Sequence, residues 1–221
     1  ETQLRARLPE LLWTLTEAAQ PDLVVIACNT ASTTALAGIR AALHVPVIGV
    51  VPAIKPAAQQ SQTKVIGVLG TPGTVRREYV DALIQKFASD CHVVLQGSVG
   101  LVDLAERKLA GETIHVDDIR REIAPLFAGP RGSDIDHVVL ACTHFPLLRG
   151  ELSQAAPHEA AWIDSGEAIA KRMLTVIGEL AEIRPQRTAP NTAFLIGPNA
   201  SAIRAQTFAD YGFLRTVGLQ D

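Results

Sequence analysis

Two cysteines stand at the ends of two apolar runs of the same form. Asp22-Leu23-Val24-Val25-Ile26-Ala27-Cys28 is followed by Asn29-Thr30-Ala31, and Asp136-His137-Val138-Val139-Leu140-Ala141-Cys142 by Thr143-His144-Phe145. A thiolate is a good base and nucleophile, and a thiol is a usable acid. A small chiral molecule held between one of each can lose a proton from one face and gain one on the other. That inverts a stereocentre with no redox or covalent step. Asn29, Thr30, Thr143 and His144 supply hydrogen-bonding groups for the charged ends of such a molecule. The plain alternative is that a free cysteine packs as a small apolar residue. Cys91, the third of three cysteines, lacks the repeated context and is read that way. For Cys28 and Cys142, equivalent places in a repeat favour chemistry.

Elements that would position these thiols follow from the pattern along the chain. Short runs rich in β-branched residues read as buried strands at 23–27, 45–51, 64–69, 91–95, 137–141, 161–163 and 193–196, with a last one at 213–217. Between them, helical spacing covers 2–19, 30–43, 52–60, 75–88, 97–109, 116–127, 146–155, 166–183 and 201–211. Residues 184–190 read as a polar linker. Strand–helix alternation of this kind argues for an α/β fold with mostly parallel sheets flanked by helices and right-handed crossovers. The repeat extends beyond the cysteines: Val47 to Ile54 has a counterpart in Trp162 to Ile169, and Lys64 to Thr71 in Ala193 to Asn199. Two pseudo-symmetric lobes are therefore expected, the first from 1–51 and 161–221, the second from 52–160. Open parallel sheets bind ligands beyond the carboxyl ends of their strands. Facing lobes would put Cys28 and Cys142 on opposite walls of one cleft. Arg76 and Arg77 read as a solvated helix face, and Trp13 and Trp162 as packing residues.

Composition narrows the class. The net charge is −3 with both signs interspersed, which leaves no basic footprint for nucleic acid and no patch for a membrane surface. No apolar run approaches the roughly 18 residues of a membrane-spanning helix. Three widely spaced cysteines make a poor disulfide framework, so a reducing cytoplasm is expected. No CxxC or HExxH pattern supports a metal site.

Ala27-Cys28-Asn29-Thr30-Ala31 and Ala141-Cys142-Thr143-His144-Phe145-Pro146-Leu147-Leu148 resemble the two signature motifs of the glutamate racemases, in the aspartate/glutamate racemase superfamily. The resemblance extends to Gly67 through Arg76, to Leu101 through Gly111 and to Ile163 through Glu167, and so spans nearly the whole chain. It implies a cofactor-independent isomerase that interconverts L- and D-glutamate by two-base proton transfer and supplies D-glutamate for peptidoglycan, with no pyridoxal phosphate and no metal. It implies Cys28 and Cys142 as the acid/base pair, the first serving the D-enantiomer and the second the L-enantiomer. It further implies Asn29, Thr30, Thr71, Thr74 and Thr143 as substrate-binding residues, with His144 and Glu106 assisting Cys142. Glutamate is the expected partner, and a homodimer the expected assembly. The family pattern also opens with a strand ending in Asp-Ser-Gly-hydrophobic-Gly-Gly, which the residues from Glu1 onward do not contain. The resemblance thus implies a first lobe one strand short and a Cys28 without its carboxylate helper. Asp164 or Ser165 is expected to cap the helix after them. The alternatives are a racemase for aspartate or another acidic amino acid, and a non-catalytic binding protein on the same scaffold.

Overall fold

The computed structural model describes residues 2–179, 190–196 and 202–219. Among the described residues eight strands run β1 Val24–Ile26, β2 Val47–Gly49, β3 Val65–Gly70, β4 His92–Gly97, β5 His137–Leu140, β6 Ala161–Ile163, β7 Thr192–Ile196 and β8 Arg215–Leu219. Every pairing among them is parallel. β1 pairs with β2, β7 with β8, and the largest sheet has the order β4-β3-β5-β6. The expected α/β class with parallel sheets and flanking helices is therefore what the chain adopts. The linker at 184–190 lies outside the described residues for all but its last position.

The repeat seen in the sequence is visible in the pairing. β1 and β5, the cysteine strands, pair with β2 and β6, their counterparts in the two halves. β3 and β7 likewise pair with β4 and β8. Two expectations change. The strand at 161–163 hydrogen-bonds to β5 across His137–Val139, so it belongs to the second lobe's sheet, not to the first lobe. The strands assigned to the first lobe form two separate pairs, because β1 and β7 are not hydrogen-bonded to each other.

The four-stranded sheet is buried on both faces, and β3 shows why its sequence is apolar throughout. Val65 and Leu69 point into one cluster, with Leu101, Leu104, Ile119, Ile123, Leu126, Leu148 and Leu152 from three helices and a 3-10 turn. Ile66 and Val68 point into the opposite cluster, with Ile54, Ala57, Ala58 and Val80. Alternate residues of a strand face opposite sides, so two covered faces require an unbroken apolar run. A third cluster of Ile26, Ala31, Ala35, Ile39, Leu43 and Val47 packs beneath β1 and β2. The helix Thr2–Ala19 buries no residue completely and touches that cluster through Leu8 and Leu12. Trp162 is buried as expected, but Trp13 is 50% exposed, because the helix carrying it lies at the edge of the third cluster.

The span 30–43 is two helices, Asn29–Thr34 and Leu36–Ala42, separated at Ala35 with φ −122° and ψ −4°. The break ends the segment after Cys28 early and makes it a unit of its own. The expected cap at 164–165 is present: the Asp164 carboxylate accepts from the Gly166 N–H at 2.7 Å.

Candidate active site

Each cysteine sits two residues past a strand, where the chain must leave the sheet. Cys28 has extended backbone (φ −143°, ψ 119°) and caps the helix Asn29–Thr34, its sulfur accepting from the Ala31 N–H at 3.5 Å. Ser32 fixes this helix to its sheet. Its hydroxyl donates to the Ile26 carbonyl at 3.1 Å and accepts from the Val50 N–H at 2.9 Å, so it spans the ends of β1 and β2. Thr33 folds back onto the carbonyls of Asn29 and Thr30 at 3.0 and 3.1 Å. Ser32 therefore ties the helix to both strands, although it is too short to be stable alone.

On the other side, the Ala141 N–H donates to the Leu69 carbonyl at 2.8 Å and carries the β3–β5 ladder to the last residue before Cys142. Cys142, Thr143 and His144 then turn into the 3-10 segment Phe145–Leu148. Phe145 is fully buried and anchors the turn. His144 joins two groups: its Nδ1 lies 3.8 Å from the Cys142 sulfur and its Nε2 2.8 Å from Glu106 Oε1. Glu106 comes from the helix Gly100–Leu109. The hydrogen bond to Cys142, and after it that to Glu106, outweigh partial burial and push the His144 pKa up from 6.5 to about 9. At neutral pH a protonated imidazole stands beside the second sulfur, able to exchange a proton with it.

The third wall is the turn after β3. Thr71 caps the helical turn Pro72–Val75, its hydroxyl accepting from the Thr74 N–H at 3.3 Å, and the two threonine hydroxyls lie 3.0 Å apart. Proline at the first helical position suits this start. Gly97, the last residue of β4, passes close behind: a Cβ there would lie 2.9 Å from Pro72 Cα. Glycine is what lets the strand and the threonine turn approach.

These three walls enclose a cavity of about 260 Å³ lined by Ala27, Cys28, Asn29, Thr30, Thr71, Thr74, Val102, Ala141, Cys142, Thr143 and His144. All of the residues singled out in the sequence line it except Glu106, which reaches it through His144. A larger cavity of about 480 Å³, between the helix Gly100–Leu109 and Phe208, Tyr211 and Phe213, includes Glu106 but neither candidate thiol. Cys91 packs against the cluster under β3 and β5, and burial raises its pKa, in keeping with a structural thiol. Among the described residues, no group of three or more His, Cys, Asp or Glu side chains is placed to hold a metal ion.

Asn29 bridges the two cysteine segments. Its Nδ2 donates to the Ala141 carbonyl at 2.9 Å, linking the residue after Cys28 to the residue before Cys142. Its Oδ1 is buried and, among the described residues, has no hydrogen-bond partner. A buried acceptor without a donor is costly, on the order of 1–3 kcal/mol.

The sequence reading missed two supports. Arg77 is half-buried, not solvated like Arg76. Its Nε donates to the Gly73 carbonyl and its Nη1 to the Thr34 hydroxyl, each at 2.9 Å. Asp136, one residue before β5, receives hydrogen bonds from Ser61, His137 and the backbone of Gln62 and Thr63. Burial opposes ionisation of Asp136, but these donors overcome it and hold the carboxyl well below the ordinary carboxylate range. The signal for Asp136 was in plain view, since an Asp opens both cysteine runs. That for Arg77 was not, since Thr34 lies far away in sequence.

Comparison with known proteins gives a consistent picture. Residues 2–173 match the Asp/Glu/Hydantoin racemase family. A glutamate racemase of Sphingopyxis alaskensis is 54% identical over 171 residues, covering 77% of this chain and 64% of the relative. A glutamate racemase of a Shewanella species is 43% identical over 219 residues, covering 96% of this chain and 79% of the relative. Among solved structures, Escherichia coli glutamate racemase in complex with L-glutamate and the activator UDP-MurNAc-ala superposes with a TM-score of 0.91 at 37% identity. That match covers 99% of this chain and 82% of the other. The chain thus spans 64% of the length of the Sphingopyxis relative.

Proposed function

Because the chain belongs to the Asp/Glu/Hydantoin racemase family, we propose that it interconverts L- and D-glutamate by cofactor-independent two-base proton transfer. The observation that carries this reading is that both strand-end thiols, Cys28 and Cys142, line one small cavity with a set of hydrogen-bonding side chains. The thiolate on one wall takes the α-proton; the electron pair of the C–H bond stays on the α-carbon and spreads into the adjacent carboxylate. The thiol on the other wall then gives its proton to the opposite face. The stereocentre inverts, and the two sulfurs have exchanged protonation states. Cys28 serves the D-enantiomer and Cys142 the L-enantiomer in this scheme.

The other residues take roles that their positions suit. Asn29, on the cavity wall beside Cys28, is placed to bind a charged end of the substrate. The hydroxyls of Thr30, Thr71, Thr74 and Thr143 are donors for its carboxylates, and charge building on the α-carboxylate needs such donors in place beforehand. The protonated His144, held by Glu106, is the proton partner of Cys142. Glutamate as substrate is supported by the Escherichia coli relative, which was solved with L-glutamate. In this reading one lobe comprises 1–51 and the chain beyond Ile163, the other 52–163, with the substrate between them. The product serves peptidoglycan synthesis in the cytoplasm, and the protein assembles as a homodimer. Among the described residues no helix is long and apolar enough to cross a membrane.

The test is direct. Purified protein is given L-glutamate, D-glutamate or the aspartate enantiomers, without added cofactor, and the enantiomer ratio is followed by chiral chromatography. Either glutamate enantiomer should drift to an equal mixture, faster than aspartate does. Folded protein that leaves both glutamate enantiomers unchanged, or that racemises aspartate faster, rejects the reading.

A further inference from the structure

We propose that Arg77 is a positioning residue for the reaction, a clasp that holds the Cys28 helix against the threonine turn. The inference rests on the two-base reading above. The guanidinium is shared between two segments of the site that come from different lobes. Nε donates to the carbonyl of Gly73, which lies between Thr71 and Thr74, and Nη1 donates to the hydroxyl of Thr34, which ends the helix that Cys28 begins. Thr34 is only 9% exposed, so this contact is formed largely out of water. A planar fork bonded at two points fixes direction as well as distance, which a lysine at the same place cannot do.

The geometry makes that helix dependent on such ties. At six residues it has too little hydrogen bonding of its own to hold a position. Ser32 ties it to β1 and β2 within its own lobe. Across to the other lobe its side-chain ties are Asn29 to the Ala141 carbonyl at one end and Thr34 to Arg77 at the other. The Asn29 bond sits beside Cys28 on the cavity wall. Arg77 does not line the cavity, so its effect is on where the Cys28 sulfur is held, not on which ligand is bound.

Loosening the clasp should therefore uncouple the two proton transfers. L-Glutamate would still lose its α-proton to Cys142, but the carbanion would be reprotonated from the same face more often, because Cys28 is out of line. The test uses the full chain with Thr34→Val, Thr34→Ser and Arg77→Met. Thr34→Val keeps shape but removes the acceptor; Thr34→Ser keeps the acceptor. Backbone amide hydrogen exchange of residues 29–34 reports the clasp without substrate. L-Glutamate in D2O reports the chemistry, through the ratio of α-deuterated L-glutamate to D-glutamate formed.

Amide exchange in 29–34 should rise in Thr34→Val and Arg77→Met and return in Thr34→Ser. The deuterated-L to D ratio should rise with it, and kcat for racemisation should fall about tenfold with little change in KM, as expected for a misplaced reacting group. Unchanged amide exchange in both Thr34→Val and Arg77→Met overturns the clasp. So does a rise in KM alone, or a loss in Thr34→Val that Thr34→Ser does not restore. If the unsubstituted protein turns over no glutamate, it is the proposed function that fails. The clasp is then decided by amide exchange alone.

Discussion

Replacing Glu106 by Gln isolates the electrostatic part of the Glu106–His144–Cys142 chain. The amide keeps an oxygen for His144 Nε2 but carries no charge. A hydrogen bond to a charged group contributes roughly 1 kcal/mol more than a neutral one, and about 1.4 kcal/mol corresponds to one pKa unit. The full effect would be about 0.7 unit on that arithmetic. The Glu106 side chain is 46% exposed, so solvent screens part of it. A drop of about 0.5 unit is the expected result. Removing a negative neighbour makes the imidazolium less favourable, so the sign is downward from about 9. The hydrogen bond to Cys142 is the leading cause of the elevation, and it remains. The assay is an NMR titration of labelled histidine, with the His144 signal identified by its loss in a His144→Asn variant. An unchanged or higher value would refute the link between the carboxylate and the imidazole. A collapse to the ordinary 6.5 would show that Glu106, not Cys142, holds the proton on His144.

Two further outcomes follow from the same geometry. Gly97→Ala places a Cβ 2.9 Å from Pro72 Cα, a backbone atom that cannot rotate away. It should destabilise the fold by about 1–3 kcal/mol in urea denaturation and lower activity by shifting Thr71 and Thr74. His144 also ties stability to pH. Its folded-state pKa of about 9 lies above the ordinary 6.5, so protonation favours the folded protein. That contribution is complete below about 6.5 and is lost as pH rises through about 9. Denaturation midpoints of the unsubstituted protein should therefore fall across this window, and fall less in His144→Asn.

What could be read in advance was what is local. The two cysteine runs carry their own structural signal, because a strand that packs its side chains into a core is apolar along its length, as β5 shows on both faces of its sheet. The polar residues just beyond each run then mark where the chain leaves the sheet. A cap at Asp164 or Ser165 could be named from the local sequence, and Asp164 is the one that accepts from the Gly166 N–H. The break at Ala35 could not, since Leu36 to Ala42 continues the helical spacing and only the packing of Leu36 and Ile39 beneath β1 and β2 turns the chain. Strand 161–163 was grouped with the wrong lobe because the repeat reports equivalence, not partnership. β6 is equivalent to β2 and pairs instead with its own cysteine strand, β5. Arg77 looked like one of two surface charges until Thr34, distant in sequence, was seen to face it.

The central claim is that two thiols on opposite walls of one cavity share the work of a single inversion. The most direct measurement compares Cys28→Ala, Cys142→Ala and the unsubstituted protein on L- and D-glutamate in D2O. Both the enantiomer ratio and the α-deuterium content are read by chiral chromatography with mass spectrometry. The unsubstituted protein should form the opposite enantiomer from either substrate, carrying α-deuterium. Neither variant should form it. Racemisation at an undiminished rate in either variant would contradict the two-base account.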